Sequence, residues 1–160
     1  MKLRKPKKQE LKAYTNLEIN FFNHHKPYGT LLQDINPEKR NLKKEFEGLI
    51  KQKNSFFRFA ELDGKVVGYI YGLIEKIGDN EKGWKKKGEL NSIVVLPESR
   101  GKGIAKFMTN GFLNWLKSKR IKYAEMSCNV KNTGMIKFAK KLNFKEQHLK
   151  FGKMLRPNYT

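Results

Sequence analysis

The sequence predicts a single mixed α/β domain over residues 1–160, built on a mixed sheet with flanking helices. Three observations carry that prediction. Apolar residues recur at helical spacing in several segments, with short strand-like runs between them. Asp63-Gly64 lies between two such runs and is a strong hairpin turn. An apolar strand at 89–96 stops at Pro97, enters a glycine-containing turn, and is followed at once by a helix.

The elements follow in order. Residues 1–5 read as a short edge strand. Over 6–25, Leu11, Tyr14, Leu17, Phe21 and Phe22 fall at helical spacing. Asn36 before Pro37 reads as an N-cap with proline at the first helical position. The helix it opens carries Leu42, Phe46, Leu49 and Ile50 on one face and ends near Lys53. Residues 56–62 form a strand, and 65–77, with Val66, Val67, Ile70 and Leu73, form the strand returning from the hairpin. Residues 78–88 are a polar loop, and 89–96 are the apolar strand. The helix at 101–119 buries Ile104, Phe107, Met108, Phe112, Trp115 and Leu116. A strand at 122–130, a helix at 132–142 and a last strand or two at 144–155 complete the order β-α-α-β-β-β-α-β-α-β.

Composition narrows the function classes. The 160 residues are 38% hydrophobic and 12% aromatic, enough for one sizeable core. No stretch approaches the roughly 20 apolar residues of a membrane span, and the charged N-terminus lacks the apolar core of a secretory signal. One cysteine, Cys128, excludes an intramolecular disulfide framework and a cysteine-built zinc site. Three histidines, two of them adjacent, argue against a histidine-bound metal, so no metal is expected. A cytoplasmic domain with no membrane partner is the expectation.

Lysine and arginine number 35 against 15 acidic residues, a net charge of +20. Such a surface favours polyanions and repels cationic substrates. The lysines are nevertheless spread along the whole chain rather than clustered among exposed aromatics. Nucleic-acid binding is therefore open but not favoured.

The segment that carries chemistry is 94–105. A strand that runs into a glycine turn and a helix start leaves successive backbone N–H groups without intrahelical acceptors. With the positive end of the helix dipole they form an anion site, most naturally for a pyrophosphate. Gly101 and Gly103 let a phosphate approach the backbone, and Arg100 and Lys102 add charge. The spacing is not that of a dinucleotide fold or a nucleotide P-loop.

Arg100-x-x-Gly103-x-Ala105 after a Val-x-Pro strand resembles the acyl-CoA-binding signature of the GNAT (N-acetyltransferase) superfamily. Asn132, then Phe138 and Leu142-Asn143-Phe144, is similar to that family's second motif. The element order is also the family's, which implies a mostly antiparallel central sheet. The matched motifs span 89–144, a little over a third of the chain.

The resemblance implies acetyl-CoA as cofactor and direct transfer of its acetyl group to a primary amine of a small molecule or protein. The backbone of Ile93 and Val95, with Val94 between them, would pair with the pantetheine amides. The amides of Arg100, Gly101, Lys102, Gly103, Ile104 and Ala105 would bind the pyrophosphate. Asn132 would contact pantetheine or pyrophosphate, and Phe138 and Lys141 would line the cofactor's other side. Glu89, on the strand ahead of Arg100, resembles the catalytic glutamate of the histone-acetylating branch, and a strand-interior setting would raise its pKa. A homodimer is open, since the family often pairs.

One position departs from the pattern. Ala139 stands where the family usually offers a tyrosine to protonate the departing thiolate. That keeps an alternative in view, a non-catalytic acyl-CoA-binding or basic RNA- or ribosome-associated module. On the acceptor side, His25 closes the first helix, Tyr28 comes just after it and Tyr71 lies in the hairpin strand. Each could contact substrate, against an ordinary role as a favourable charge at the helix C-terminus for His25 and as packing for the tyrosines. Cys128 is expected to be a buried small hydrophobe in its strand rather than a nucleophile.

Overall fold

The computed structural model describes residues 1–29 and 35–153. Its elements are β1 (Lys2–Arg4), α1 (Leu11–His25), α2 (Leu42–Lys51), β2 (Ser55–Leu62), β3 (Lys65–Lys76), β4 (Lys86–Val95), α3 (Ile104–Ser118), β5 (Ala124–Met126) and α4 (Thr133–Lys141). The five strands form one sheet in the order β1-β2-β3-β4-β5. Pairing is antiparallel from β1 to β4 and parallel between β4 and β5. This is the mostly antiparallel mixed sheet with flanking helices that the sequence predicts.

The hairpin between β2 and β3 turns at Asp63 and Gly64, both with positive φ (51° and 75°). Two consecutive left-handed residues match the twist of the flanking strands, which is why Asp-Gly holds this register.

The sheet has two buried faces. On one, α3 contributes Ile104, Met108, Phe112 and Leu116, one per helical turn, against Phe56, Ala60, Ile70 and Leu90. On the other, Tyr14 and Leu17 of α1 and Phe46 of α2 pack with Phe57, Phe59, Tyr69 and Val94. At Gly88 the helix lies so close that a Cβ would stand 2.3 Å from Leu116 Cδ1. Phe107, expected in the core, is 36% exposed on the outer side of α3.

Four other expectations need correction. Asn36-Pro37 does not open α2. Pro37–Lys39 is a single 3-10 turn in which the Asn36 side chain accepts from Glu38 N (3.0 Å). Arg40 is then extended, and Asn41 caps α2 by accepting from Lys44 N (3.0 Å). The strand expected at 122–130 is only Ala124–Met126 long, so Cys128 lies beyond it and is exposed rather than buried. The final strand of the expected order is absent among the described residues: 144–153 is irregular, and Leu155 lies outside the described residues. Leu149 and Phe151 are 76% and 89% exposed, so the apolar positions that suggested a strand find no face to bury against.

Candidate active site

β4 organises the site. It pairs with β5 only at Gly88↔Ala124, Glu89↔Glu125 and Leu90↔Met126. β5 stops there while β4 continues to Val95, so the two parallel strands part and leave the β4 edge at Ile93 and Val95 without a strand neighbour among the described residues. The β3–β4 register shifts at Tyr71/Gly72, which makes Asn91 an extra residue at the point of parting. Ile93 and Val95 pack toward α3, while Val94 is buried on the opposite face.

The chain then turns into α3. Gly101 and Gly103 have φ of +77° and +76°, and nothing lies within 4 Å of where a Cβ would stand on either. Gly103 is the N-cap of α3 and supplies no side-chain cap. Ile104 anchors the first turn in the core, and Ala105 follows half-buried. The first-turn amides have no intrahelical acceptor and face an open, side-chain-free surface. Arg100 and Lys102 are exposed beside it. Arg100 Nε donates to the Val95 carbonyl (3.1 Å), which holds its side chain against the parted edge of β4.

Asn132 is buried and caps α4, its Oδ1 accepting from Met135 N (3.1 Å). Phe138 is half-buried and Lys141 exposed on α4, where Ala139 is also half-buried. Asn143, in place of the usual glycine, adopts φ +62°, a conformation asparagine tolerates better than most residues.

Glu89 sits in a charged cluster. Lys87 Nζ donates to Glu89 Oε2 (3.0 Å) and to Glu125, and lies 3.7 Å from Glu75. Burial pushes the Glu89 carboxyl above the usual carboxylate range, with the adjacent Glu125 adding to the rise and Lys87 opposing it. The Lys87 hydrogen bond holds Glu125 below its ordinary range, and the same bond raises the Lys87 ammonium. One shared cation thus stands between two carboxyls whose pKa values are driven apart. Glu125 escapes sequence reading because only the parallel register of β4 and β5 brings it to Glu89, whereas Lys87 shares a strand face with Glu89 at i, i+2 and is legible once the strand begins at Lys86.

The acceptor-side candidates lie together in part. His25 Nδ1 contacts the Phe21 carbonyl (2.9 Å), its ring lies 4.1 Å from that of Phe21, and Tyr28 packs edge-on against both His24 and His25. Burial lowers the His24 pKa, and nearby Arg100 lowers it further, so the end of α1 comes close to the glycine turn. Tyr71 is separate from this cluster; its hydroxyl donates to Gln52 Oε1 (2.7 Å).

A network the sequence did not reveal ties α1 to the sheet. Glu18 has a side chain 3% exposed and accepts from Arg40 Nη1 (2.7 Å) and from the Tyr69 hydroxyl. Arg40 also pairs with Glu45. Among the described residues no group of three or more His, Cys, Asp and Glu could hold a metal ion, and no helix is long and apolar enough to cross a membrane.

Residues 17–144 match the model of the acetyltransferase (GNAT) family. The chain belongs to that family. Among the relatives of this GNAT protein is an uncharacterized N-acetyltransferase of Methanocaldococcus jannaschii. It is 31% identical over 104 residues, covering 65% of this chain and 45% of the relative. The chain thus spans less than half the length of that relative. An N-alpha-acetyltransferase of Sulfurisphaera tokodaii is 36% identical over 103 residues, covering 61% of this chain and 60% of the relative. A predicted acetyltransferase of Clostridium acetobutylicum, solved with acetyl-CoA, superposes with a TM-score of 0.70 at 15% identity, over 96% of each chain. At that identity the likeness is one of fold alone. The GNAT assignment accounts for the sheet, the parted strands and the glycine turn together.

Proposed function

We propose that this GNAT protein is an acetyl-CoA-dependent N-acetyltransferase acting on a primary amine in the cytoplasm. The observation that carries the reading is the parting of β4 from β5 after the Leu90↔Met126 pair, followed in the chain by the left-handed turn at Gly101 and Gly103. The residues fit the cofactor. The α3 first-turn amides, with Arg100 and Lys102, offer a diphosphate site on a surface with no Cβ in the way. The β4 edge at Ile93 and Val95 offers backbone partners to an amide-bearing arm, Asn132 flanks it, and Phe138 and Lys141 line the far side. Bound acetyl-CoA would supply the thioester-activated acetyl group.

The chain's own residues then handle the proton. An amine reaches the site as ammonium and must lose a proton before it can attack. Glu89 takes it. Its raised pKa makes it a stronger base than an ordinary carboxylate, and Lys87 keeps it ionised while empty-handed. Ala139 cannot return a proton to a leaving thiolate, so solvent does so. His25, Tyr28 and Tyr71 would contact the acceptor. The name of the Sulfurisphaera relative supports a peptide α-amino group as the first acceptor to try.

The test is acetyl-CoA-dependent mass gain on peptides and small amines, with Glu89→Gln as control. Acetylated product with wild type and a loss of roughly 10²- to 10⁴-fold in the variant is expected. Ala139 favours one second reading, a module that holds acyl-CoA without turnover. Acetyl-CoA binding with no CoA release on any amine would select it.

A further inference from the structure

A second concavity lies at the opposite edge of the sheet. β1 covers β2 only at Phe59, Ala60 and Glu61, which leaves the outer edge of β2 open toward Ser55. A cleft of about 250 Å³ opens there, between the end of α2 and the end of α3. Lys5, Arg58 and Lys119 line it, with Leu49, Phe57 and Trp115 as apolar wall, and no carboxylate among the described residues lines it.

Arg58 is the unusual member. Arg4 takes both Glu10 and Glu61, and Arg40 takes both Glu18 and Glu45. Arg58 is also half-buried, yet no carboxylate among the described residues pairs with it. Its Nη1 donates to the Phe57 carbonyl (2.8 Å), and its guanidinium lies 4.6 Å from the Phe56 ring centroid. A guanidinium carries five donors in a fork that suits an oxyanion. Here most of that capacity is left for a ligand, beside two ammonium groups with no counter-charge in the cleft.

We infer that this cleft binds a small organic anion, its carboxylate or phosphate held by Arg58, Lys5 and Lys119 and its aromatic or aliphatic part against Leu49, Phe57 and Trp115. The site lies at the far end of α3 from Gly103 and does not depend on acetyl transfer.

Trp115 reports occupancy directly. The chain has two tryptophans, so a Trp84→Phe background leaves Trp115 as the sole indole. Its emission is titrated with phenyl phosphate, phenylacetate and inorganic phosphate. A saturable change is expected with at least one of the two aromatic anions, and inorganic phosphate should bind roughly ten-fold more weakly, lacking the apolar part. Arg58→Gln should weaken the aromatic anion roughly ten-fold or more, with acetyl-CoA affinity unchanged. Should Arg58→Gln fail to fold, the exposed pair Lys5→Glu, Lys119→Glu makes the same test. No saturable response to either aromatic anion, or a response that a folded variant leaves intact, overturns the site.

Discussion

Glu89 stands directly opposite Glu125 in the parallel register of β4 and β5, and the ammonium of Lys87 is ion-paired to both. The two carboxyls are held on opposite sides of their ordinary pKa, Glu89 above and Glu125 below. If Glu89 is the base, it works only when ionised. Activity must then rise with pH through the raised Glu89 pKa and fall away on the acid side. Lys87→Met removes the bond that lowers that pKa, so the acid limb of kcat/KM moves to higher pH. Glu125→Gln removes a neighbour that raises it, so the limb moves to lower pH. A pH–rate profile checks both directions, and a limb unmoved in both variants sets Glu89 aside as the base.

The turn before α3 separates conformation from affinity. Gly103 holds φ +76° with open space around it. A β-branched residue pays about 1–2 kcal/mol for the left-handed conformation and projects a side chain over the first-turn amides. Gly103→Val should lower Tm by a few degrees and weaken acetyl-CoA binding at least ten-fold. Gly103→Asn, which tolerates positive φ, should recover most of the Tm but little of the affinity. Thermal melts and titration of the same samples read the two effects apart.

Glu18 is a stability residue. Its carboxylate is almost wholly enclosed and is met by Arg40 and the Tyr69 hydroxyl. Glu18→Ala leaves Arg40 with Glu45 as its one carboxylate partner among the described residues and removes the carboxylate acceptor of Tyr69, at a cost of about 3 kcal/mol or more. Tyr69→Phe deletes one donor to the Glu18 carboxylate while Arg40 stays in place, and should cost about 1.5–2 kcal/mol. Urea unfolding gives both values, and equal costs would remove Glu18 from the centre of the network.

Gly88 is set by the approach of α3. The Cβ of Gly88→Ala would stand 2.3 Å from Leu116 Cδ1, so the Leu116 side chain, or the helix that carries it, must shift, at about 1–3 kcal/mol. Because Gly88 pairs with Ala124 beside Glu89, the shift should also lower kcat. Leu116→Ala in the same chain should cost less than the sum of the two single changes, a coupling that a double-mutant cycle measures.

The sequence made local features legible and non-local ones opaque. Asp63-Gly64 and the Gly101–Gly103 turn are readable because residue type alone dictates their backbone. The helix Ile104–Ser118 is readable because its apolar residues recur every four positions. Asn36-Pro37 misled because a good cap signal is satisfied equally well by one 3-10 turn, with Asn41 starting the helix afterwards. The stretch 144–153 misled because apolar residues such as Leu149 and Phe151 state what a strand could bury, not whether a face exists to receive it. The meeting of Glu125 with Glu89, the Glu18 network and the Arg58 cleft are set by sheet register and helix docking. No spacing along the chain encodes those meetings.

Isothermal titration with acetyl-CoA tests the central claim most directly, wild type against a Gly101→Val, Gly103→Val variant confirmed as folded. The account predicts saturable one-site binding to the wild type and its loss in the variant, because the amides that hold the diphosphate are then covered. Absence of binding to the wild type, or equal binding to both chains, would contradict it.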